Sequence, residues 1–293
     1  MIEPVDSPYL VPFDGSFRRT ELPTQPPSGP LARKQAKALL AEQVDQLAKL
    51  QRKLYADDRY ALLLVFQAMD AAGKDGTIRA VLTGVNPAGF QVSNFKQPSA
   101  EELDHDFLWR ISRRLPERGR IGVFNRSHYE EVLVVRVHPE YLGPQRLPRL
   151  MSMDQRWSER YQSIRQFEEH LARNGTKILK FWLNVSKEEQ RQRFLARIDE
   201  RRKNWKFSAG DVRERGFWDR YMEAYEDALN ATSRPHAPWY AIPADDKRYM
   251  RLQVAKIVVE SLRRLHLNYP ELPADERAAL AEQRRLLVEE AGG

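Results

Sequence analysis

Apolar positions along the chain follow two alternating rhythms. Between Leu31 and Tyr55, residues Leu39, Leu40, Val44, Leu47, Leu50 and Leu54 recur at three- and four-residue steps, the period of a long amphipathic helix. Tyr60–Gln67 (YALLLVFQ) is a nearly unbroken apolar run, too dense for a strand with one wet face, and predicts a buried central strand. Further elements follow in turn: a helix near Lys74–Leu82, a strand near Phe90–Phe95, and a helix from Ser99 with Glu102 in capping-box position. Arg120–Phe124 (RIGVF) is the next strand, Met153–Ala172 is helical by pattern, and Thr176–Leu183 (TKILKFWL) is a fourth strand. Ser186 with Glu189 marks a second capping box, whose helix runs into the basic stretch Arg201–Phe207. Val212–Leu229 and Arg248–Leu265 read as helices, with Trp239–Ile242 as a fifth strand between them. Strand alternating with helix throughout predicts an α/β fold, a mostly parallel sheet with helices on both faces.

The two ends break the pattern. Residues 1–30 hold seven prolines and little periodicity, which predicts an extended segment outside the core. The main domain is expected over residues 31–270. Residues 271–293 form a charged tail, helical over Ala274–Glu290, with no strand to bury it.

Composition narrows the classes. A chain of 293 residues with 42% hydrophobic content can bury one large core or two modest ones. No cysteine means no disulfide and no thiolate metal site. The longest apolar stretch, Tyr60–Met69, contains Gln67 and falls far short of the roughly 20 residues needed to cross a bilayer. With no basic-then-apolar leader at the start, a cytoplasmic location and no membrane contact are expected. Lys plus Arg outnumber Asp plus Glu by 48 to 41, and the net charge of +7 favours a polyanionic partner without identifying it.

Local chemistry begins where the central strand ends. Ala68–Thr77 (AMDAAGKDGT) is a run of small residues between a strand and a helix, with Lys74 at its end. In such a loop backbone N–H groups and a helix start converge on phosphate oxygens, and a lysine supplies a mobile cation. The strict G-x-x-x-x-G-K-[ST] pattern is not met: Ala68 stands where the first glycine belongs and Asp75 where Ser or Thr would ligate Mg²⁺. The plainer alternative is a tight turn with a solvated lysine. Two carboxylates, Asp70 and Asp75, beside a phosphate site make sense chiefly with Mg²⁺ between them. After the RIGVF strand comes a second polar cluster, Asn125–Glu131 (NRSHYEE), at the strand end where open α/β sheets bind ligands. There His128 and Tyr129 are expected to pack under the next helix.

QAMDAAGKDGTIRAV (Gln67–Val81) with IGVFNRSHYEEVLVVRVH (Ile121–His138) resembles the polyphosphate kinase 2 family, in particular the group acting on nucleoside monophosphates as well as diphosphates. FLWRI (Phe107–Ile111), RRKNWKF (Arg201–Phe207), FWDRYMEAYEDAL (Phe217–Leu229) and APWYAIPADDK (Ala237–Lys247) extend the likeness over Leu31–Arg264. The resemblance implies a P-loop kinase core of thymidylate-kinase type with a helical lid, here around 187–220. It also implies Mg²⁺-dependent, reversible phosphoryl exchange between inorganic polyphosphate and adenine or guanine nucleotides, AMP to ADP and ADP to ATP, with Mn²⁺ as a substitute metal, in a homo-oligomer, dimer or tetramer.

On that likeness Asp70, Lys74, Asp75 and Arg126 are the catalytic candidates. Asn125, Arg126, Gly73 and Gly76 are the nucleotide-binding candidates, and Asp70, with Asp75 second, the metal ligands. Many members carry Asp where this chain has Asn125. Seven cations against two acids between Arg191 and Lys206 suggest a polyphosphate-holding lid, with Arg201, Lys203 and Lys206, alongside Lys74, as its contacts. Such a run is otherwise a solvated helix face. Two alternatives stay open: an ATP-dependent small-molecule or nucleotide kinase, and a basic nucleic-acid-binding module without transfer chemistry. The chain lacks the aromatic strand pattern and paired-ligand fingers of common nucleic-acid readers, so no specific nucleic acid is expected.

Overall fold

The dense run after residue 60 becomes the middle of a sheet because neither of its faces can meet water. Every residue of β1 (Ala61–Gln67) is buried. In the computed structural model, which describes residues 3–148 and 151–290, β2 (Phe90–Asn94), β3 (Ile121–Asn125), β4 (Thr176–Asn184) and β5 (Trp239–Pro243) complete a wholly parallel sheet in the order β2-β3-β1-β4-β5. Phe66 stands level with Asn125 on one side and Phe181 on the other. The loop leaving β1 and the turn leaving β3 therefore start side by side at the carboxyl edge, where α/β sheets place ligands.

Helices cover both faces. In chain order they are α1 (Arg33–Asp57), α2 (Lys74–Leu82), the one-turn helices α3 (Ala100–Leu103), α4 (Trp109–Ser112) and α5 (Val134–Val137), then α6 (Met153–Arg173), α7 (Lys187–Asp199), α8 (Ala209–Arg215), α9 (Trp218–Thr232), α10 (Lys247–Arg263) and α11 (Ala274–Glu290). α10 packs between α1 and α2, while α5 and α6 pack on α9. From α1, Leu47, Gln51 and Leu54 are buried at four- and three-residue steps. α11 buries nothing, as its charge pattern implies. No helix among the described residues is long and apolar enough to cross a membrane.

Three local expectations need revision. The predicted helix Val212–Leu229 is two helices, because α8 ends at Gly216, whose N–H caps Arg213 O at 2.9 Å, before α9 begins. The basic stretch is a separate 3-10 turn, Arg201–Lys206, rather than the end of α7. Ser186 caps α7 by accepting from Glu189 N, but the Glu189 carboxylate turns to Arg193 Nε at 2.6 Å, so no capping box closes.

The N-terminal segment is also not outside the core. Val5, Tyr9, Val11 and Phe17 are buried within it. Val11 N donates to Trp239 O at 2.9 Å and Ala241 N to Tyr9 O at 2.8 Å, so the extended chain runs antiparallel along the edge of β5. Proline removes donors but favours extended backbone, which suits a strip laid on a sheet edge.

Candidate active site

The phosphate loop is closed by its own lysine. From Gln67 the chain turns through Ala71 (φ 63°) and Gly73 (φ 112°) into α2. Gly73 occupies backbone space that a side chain would strain. Lys74 is buried and its Nζ donates to Ala68 O at 2.6 Å, joining the end of the loop to its start. Ala68 has no positive φ, which is why alanine serves where the usual pattern has glycine. Burial lowers the Lys74 pKa against the opposing pull of Asp70.

The turn after β3 reaches across to this loop. Arg126 adopts φ 63°, donates its backbone N–H to Phe66 O at 3.0 Å, and sends Nη2 to Asp70 Oδ1 at 2.9 Å. Its Nη1 lies 3.5 Å from Glu130 Oε2. Burial pushes Asp70 upward, but Lys74, Arg126 and Arg197 together outweigh it, and the carboxyl lies below its ordinary value. Glu130 goes the other way, raised by burial despite Arg126 and Lys74. Asn125 Nδ2 donates to Asp75 Oδ1 at 2.7 Å and to Asn94 Oδ1 at 2.8 Å. Asn125 therefore holds the Asp75 carboxylate as a donor, where an aspartate would repel it. Asp70, Lys74 and Arg126 form one cluster; Asn125 and Asp75 form a second, more exposed one beside it.

α7 braces the loop from the far side. Gln190 Nε2 donates to Asp70 O at 3.0 Å. Buried Arg193 donates through Nη1 to Ala72 O (2.6 Å) and Ala71 O (3.2 Å), and through Nη2 to Ala244 O (2.7 Å) and Asp245 O (3.0 Å). One side chain thus bolts the phosphate loop to the end of β5. Arg197 reaches Asp211 Oδ2 at 3.1 Å, and Asp211 is raised by burial and then by Asp70, so α8 also faces the loop.

Positions 190, 193 and 197 lie on one helix face. That spacing is visible in the sequence, although there the basic run suggests a polyphosphate-holding lid or a solvated helix face. Instead Arg191 pairs with Glu188, and Arg202 and Lys203 pair with Glu200. Among the described residues, no hydrogen bond or ion pair joins Arg201 or Lys203 to the phosphate loop. The Lys206 side chain lies outside the described residues.

A cavity of about 230 Å³ opens beside Arg126, a feature the sequence reading did not find. Phe95, Phe107, Ile111 and Tyr141 wall it, and Arg126 and Glu130 stand at its polar end. Arg160 fixes one wall by donating to the Glu131 carboxylate and to Gln145. Apolar, aromatic walls ending in an arginine suit a flat ring carrying phosphate. Below the turn, His128 and Tyr129 are buried as expected. Glu168 accepts from Tyr129 Oη at 2.9 Å and from Lys180 Nζ at 2.6 Å, and His128 Nε2 lies 3.3 Å from it. Lys180 also donates to Thr232 O at 2.9 Å.

Among the described residues no group of three or more acidic or histidine side chains converges as a ready metal cage. Mg²⁺ does not need one, since it binds through one or two carboxylates and completes its shell with phosphate oxygens and water. An ionised Asp70 next to the lysine of the loop, with Asp75 nearby, fits that donor requirement.

Residues 31–269 match the sequence profile of Polyphosphate kinase 2. The chain is 57% identical over 251 residues to an ADP-polyphosphate phosphotransferase of Rhodopseudomonas palustris, covering 85% of this chain and 87% of that one. It is 47% identical over 264 residues to an AMP/ADP-polyphosphate phosphotransferase of Meiothermus ruber, covering 90% and 95%. The crystal structure of Polyphosphate Kinase 2 from Arthrobacter aurescens TC1 superimposes with a TM-score of 0.82 at 40% identity over 91% of this chain and 93% of that one. A buried loop lysine, a carboxylate–arginine pair and a parallel sheet thus occur in a chain that belongs to the polyphosphate kinase 2 family.

Proposed function

We propose that this chain transfers phosphoryl groups from inorganic polyphosphate to nucleoside mono- and diphosphates, converting AMP to ADP and ADP to ATP, reversibly and with Mg²⁺. The observation that carries the reading is that Arg126, which lines an aromatic-walled cavity, pairs with Asp70, whose ionised form Lys74 also favours. The names of the two relatives, one for ADP and one for AMP and ADP, support the acceptor class.

In this reading the nucleoside lies in the cavity and its phosphate meets Arg126. An oxygen of that phosphate attacks the terminal phosphorus of polyphosphate, a new P–O bond forms, and the anhydride bond to the shortened chain breaks in line. The acceptor is already anionic, so no general base is required. Lys74 leaves Ala68 O to follow the transferring group, and backbone N–H groups at the start of α2 face its oxygens. Asp70, with Asp75 second, would hold Mg²⁺ or a substituting Mn²⁺, which would supply neutralisation of phosphate charge. Gly73 and Gly76 keep the backbone close to phosphate, and Asn125 holds Asp75 in place.

Purified protein with Mg²⁺, polyphosphate and AMP or ADP should form ADP and ATP. No nucleotide gain from polyphosphate, together with transfer from ATP to a small acceptor, would replace this reading by that of a conventional kinase.

A further inference from the structure

We infer that Glu214 and His138 are positioning residues that keep the wall of the acceptor cavity in register with the phosphate loop, with α8 as the link between the two. The inference rests on the function proposed above. α8 is seven residues long and, among the described residues, gives no side chain to the hydrophobic core. Val212, its one large apolar side chain, is 53% exposed. A helix this short is marginal by itself, and without buried packing its place is set by polar contacts.

Those contacts run in two directions. Toward the cavity, Glu214 Oε2 accepts from Tyr221 Oη at 2.7 Å and lies 2.9 Å from His138 Nε2. His138 is buried, its ring meets Phe217 edge-on with centroids 4.8 Å apart, and its Nδ1 lies 3.3 Å from the exposed Glu140. From His138 the chain continues into Tyr141, Pro144 and Gln145, which line the cavity. Toward the loop, Arg215 Nη1 donates to Gln190 Oε1 at 2.8 Å and to Lys187 O at 2.6 Å. Gln190 carries the link onward, for its Nε2 donates to Asp70 O. Consecutive residues of a helix point about 100° apart, so Glu214 and Arg215 reach two different elements from one short helix.

The acceptor phosphate and the donor must meet in line, and a misplacement of about 1 Å costs on the order of 100-fold in rate. Arg160 braces the cavity and Arg193 braces the loop, each on its own side. α8 spans the two. Cutting it leaves both half-sites formed but free to drift against each other, so the loss falls on kcat rather than on KM.

The test is a mutant cycle across α8. Glu214→Leu and Arg215→Met should each lower kcat about tenfold, with the KM of nucleotide and of polyphosphate within about threefold of wild type. Because both cut the same link, the double variant should also lose about tenfold rather than about 100-fold. Glu214→Gln, whose amide oxygen still accepts from Tyr221 and His138, should stay within about twofold of wild type in kcat. His138→Leu, cutting the link from the cavity side, should match Glu214→Leu and takes its place in the cycle if that variant does not fold. Wild-type kcat in either arm, a double variant at the product of the two losses, a loss confined to KM, or no rescue by Glu214→Gln overturns the inference. If wild type transfers nothing from polyphosphate, the proposed function fails, and hydrogen exchange still tests the link. Glu214→Leu should speed exchange of the loop amides over residues 69–77 about tenfold, and unchanged rates there would overturn it.

Discussion

Arg193→Ala is the sharpest test of how the phosphate loop is held. The guanidinium is buried and donates to four backbone carbonyls and the Glu189 carboxylate at 2.6 to 3.2 Å. Hydrogen bonds to a charged group each contribute about 1.5–3 kcal/mol, and because these five share one hub they do not add. Removing the charged side of a buried pair costs about 3–5 kcal/mol, a large share of the 5–15 kcal/mol typical of a native fold. Urea unfolding should therefore show a midpoint lowered by about that free energy with the slope unchanged. Activity should fall separately, since Ala71 and Ala72 border Lys74, and a loop misplaced by about 1 Å loses on the order of 100-fold in kcat. Arg193→Lys should recover less than half of each loss, because a point charge cannot span both strand ends. Arg191→Ala, whose exposed partner is Glu188, should leave the unfolding midpoint unchanged. An Arg193→Ala protein within about 1 kcal/mol of wild type and within twofold in kcat would refute the account.

Lys74→Ala and Asp70→Asn should each abolish polyphosphate-dependent nucleotide formation in a coupled assay, with melting temperatures near wild type; activity retained in both would contradict the site. Gly73→Ala should destabilise by about 1–3 kcal/mol, since φ is 112° and the new methyl lies 3.2 Å from Met250 Cε, as read by thermal melting. Lys180→Met should cost about 3–5 kcal/mol by stranding Glu168, and Lys180→Met/Glu168→Leu should regain part of it in denaturant titration. Burial, opposed by Glu168, holds Lys180 down at about 8 against an ordinary 10.5. Its contribution to stability is thus fully present above 10.5 and lost as pH falls through about 8. Between pH 8 and 10.5, wild type should gain stability relative to Lys180→Met as pH rises, and a flat difference would remove that assignment.

Much of the sheet was legible because its strands declare themselves locally. YALLLVFQ has no polar face and can only be central, and RIGVF and TKILKFWL flank it in the same register. The loop was equally plain, for small residues before Lys74 carry a backbone meaning independent of tertiary context. What escaped the sequence depends on pairing at long range. Arg193 and Arg251 look alike in a charge count, yet one is consumed by four carbonyls and the other is unpartnered, and only the packing of α7 and α10 against the loop separates them. The cavity beside Arg126 likewise draws Phe95, Phe107 and Tyr141 from three segments with no shared period. Tyr9 and Phe17 were hidden by their prolines, whose local message of irregularity is correct but silent about burial.

That proline-rich strap has a practical consequence. The family profile begins at residue 31, so a shortened chain starting there would look natural for crystallisation or display. It would also lift Val5, Tyr9, Val11 and Phe17 off the molecule and uncover the outer backbone groups of β5. A bare rim of that kind invites edge-to-edge pairing between molecules, so trimming should promote aggregation, and fusions are better attached beyond residue 270.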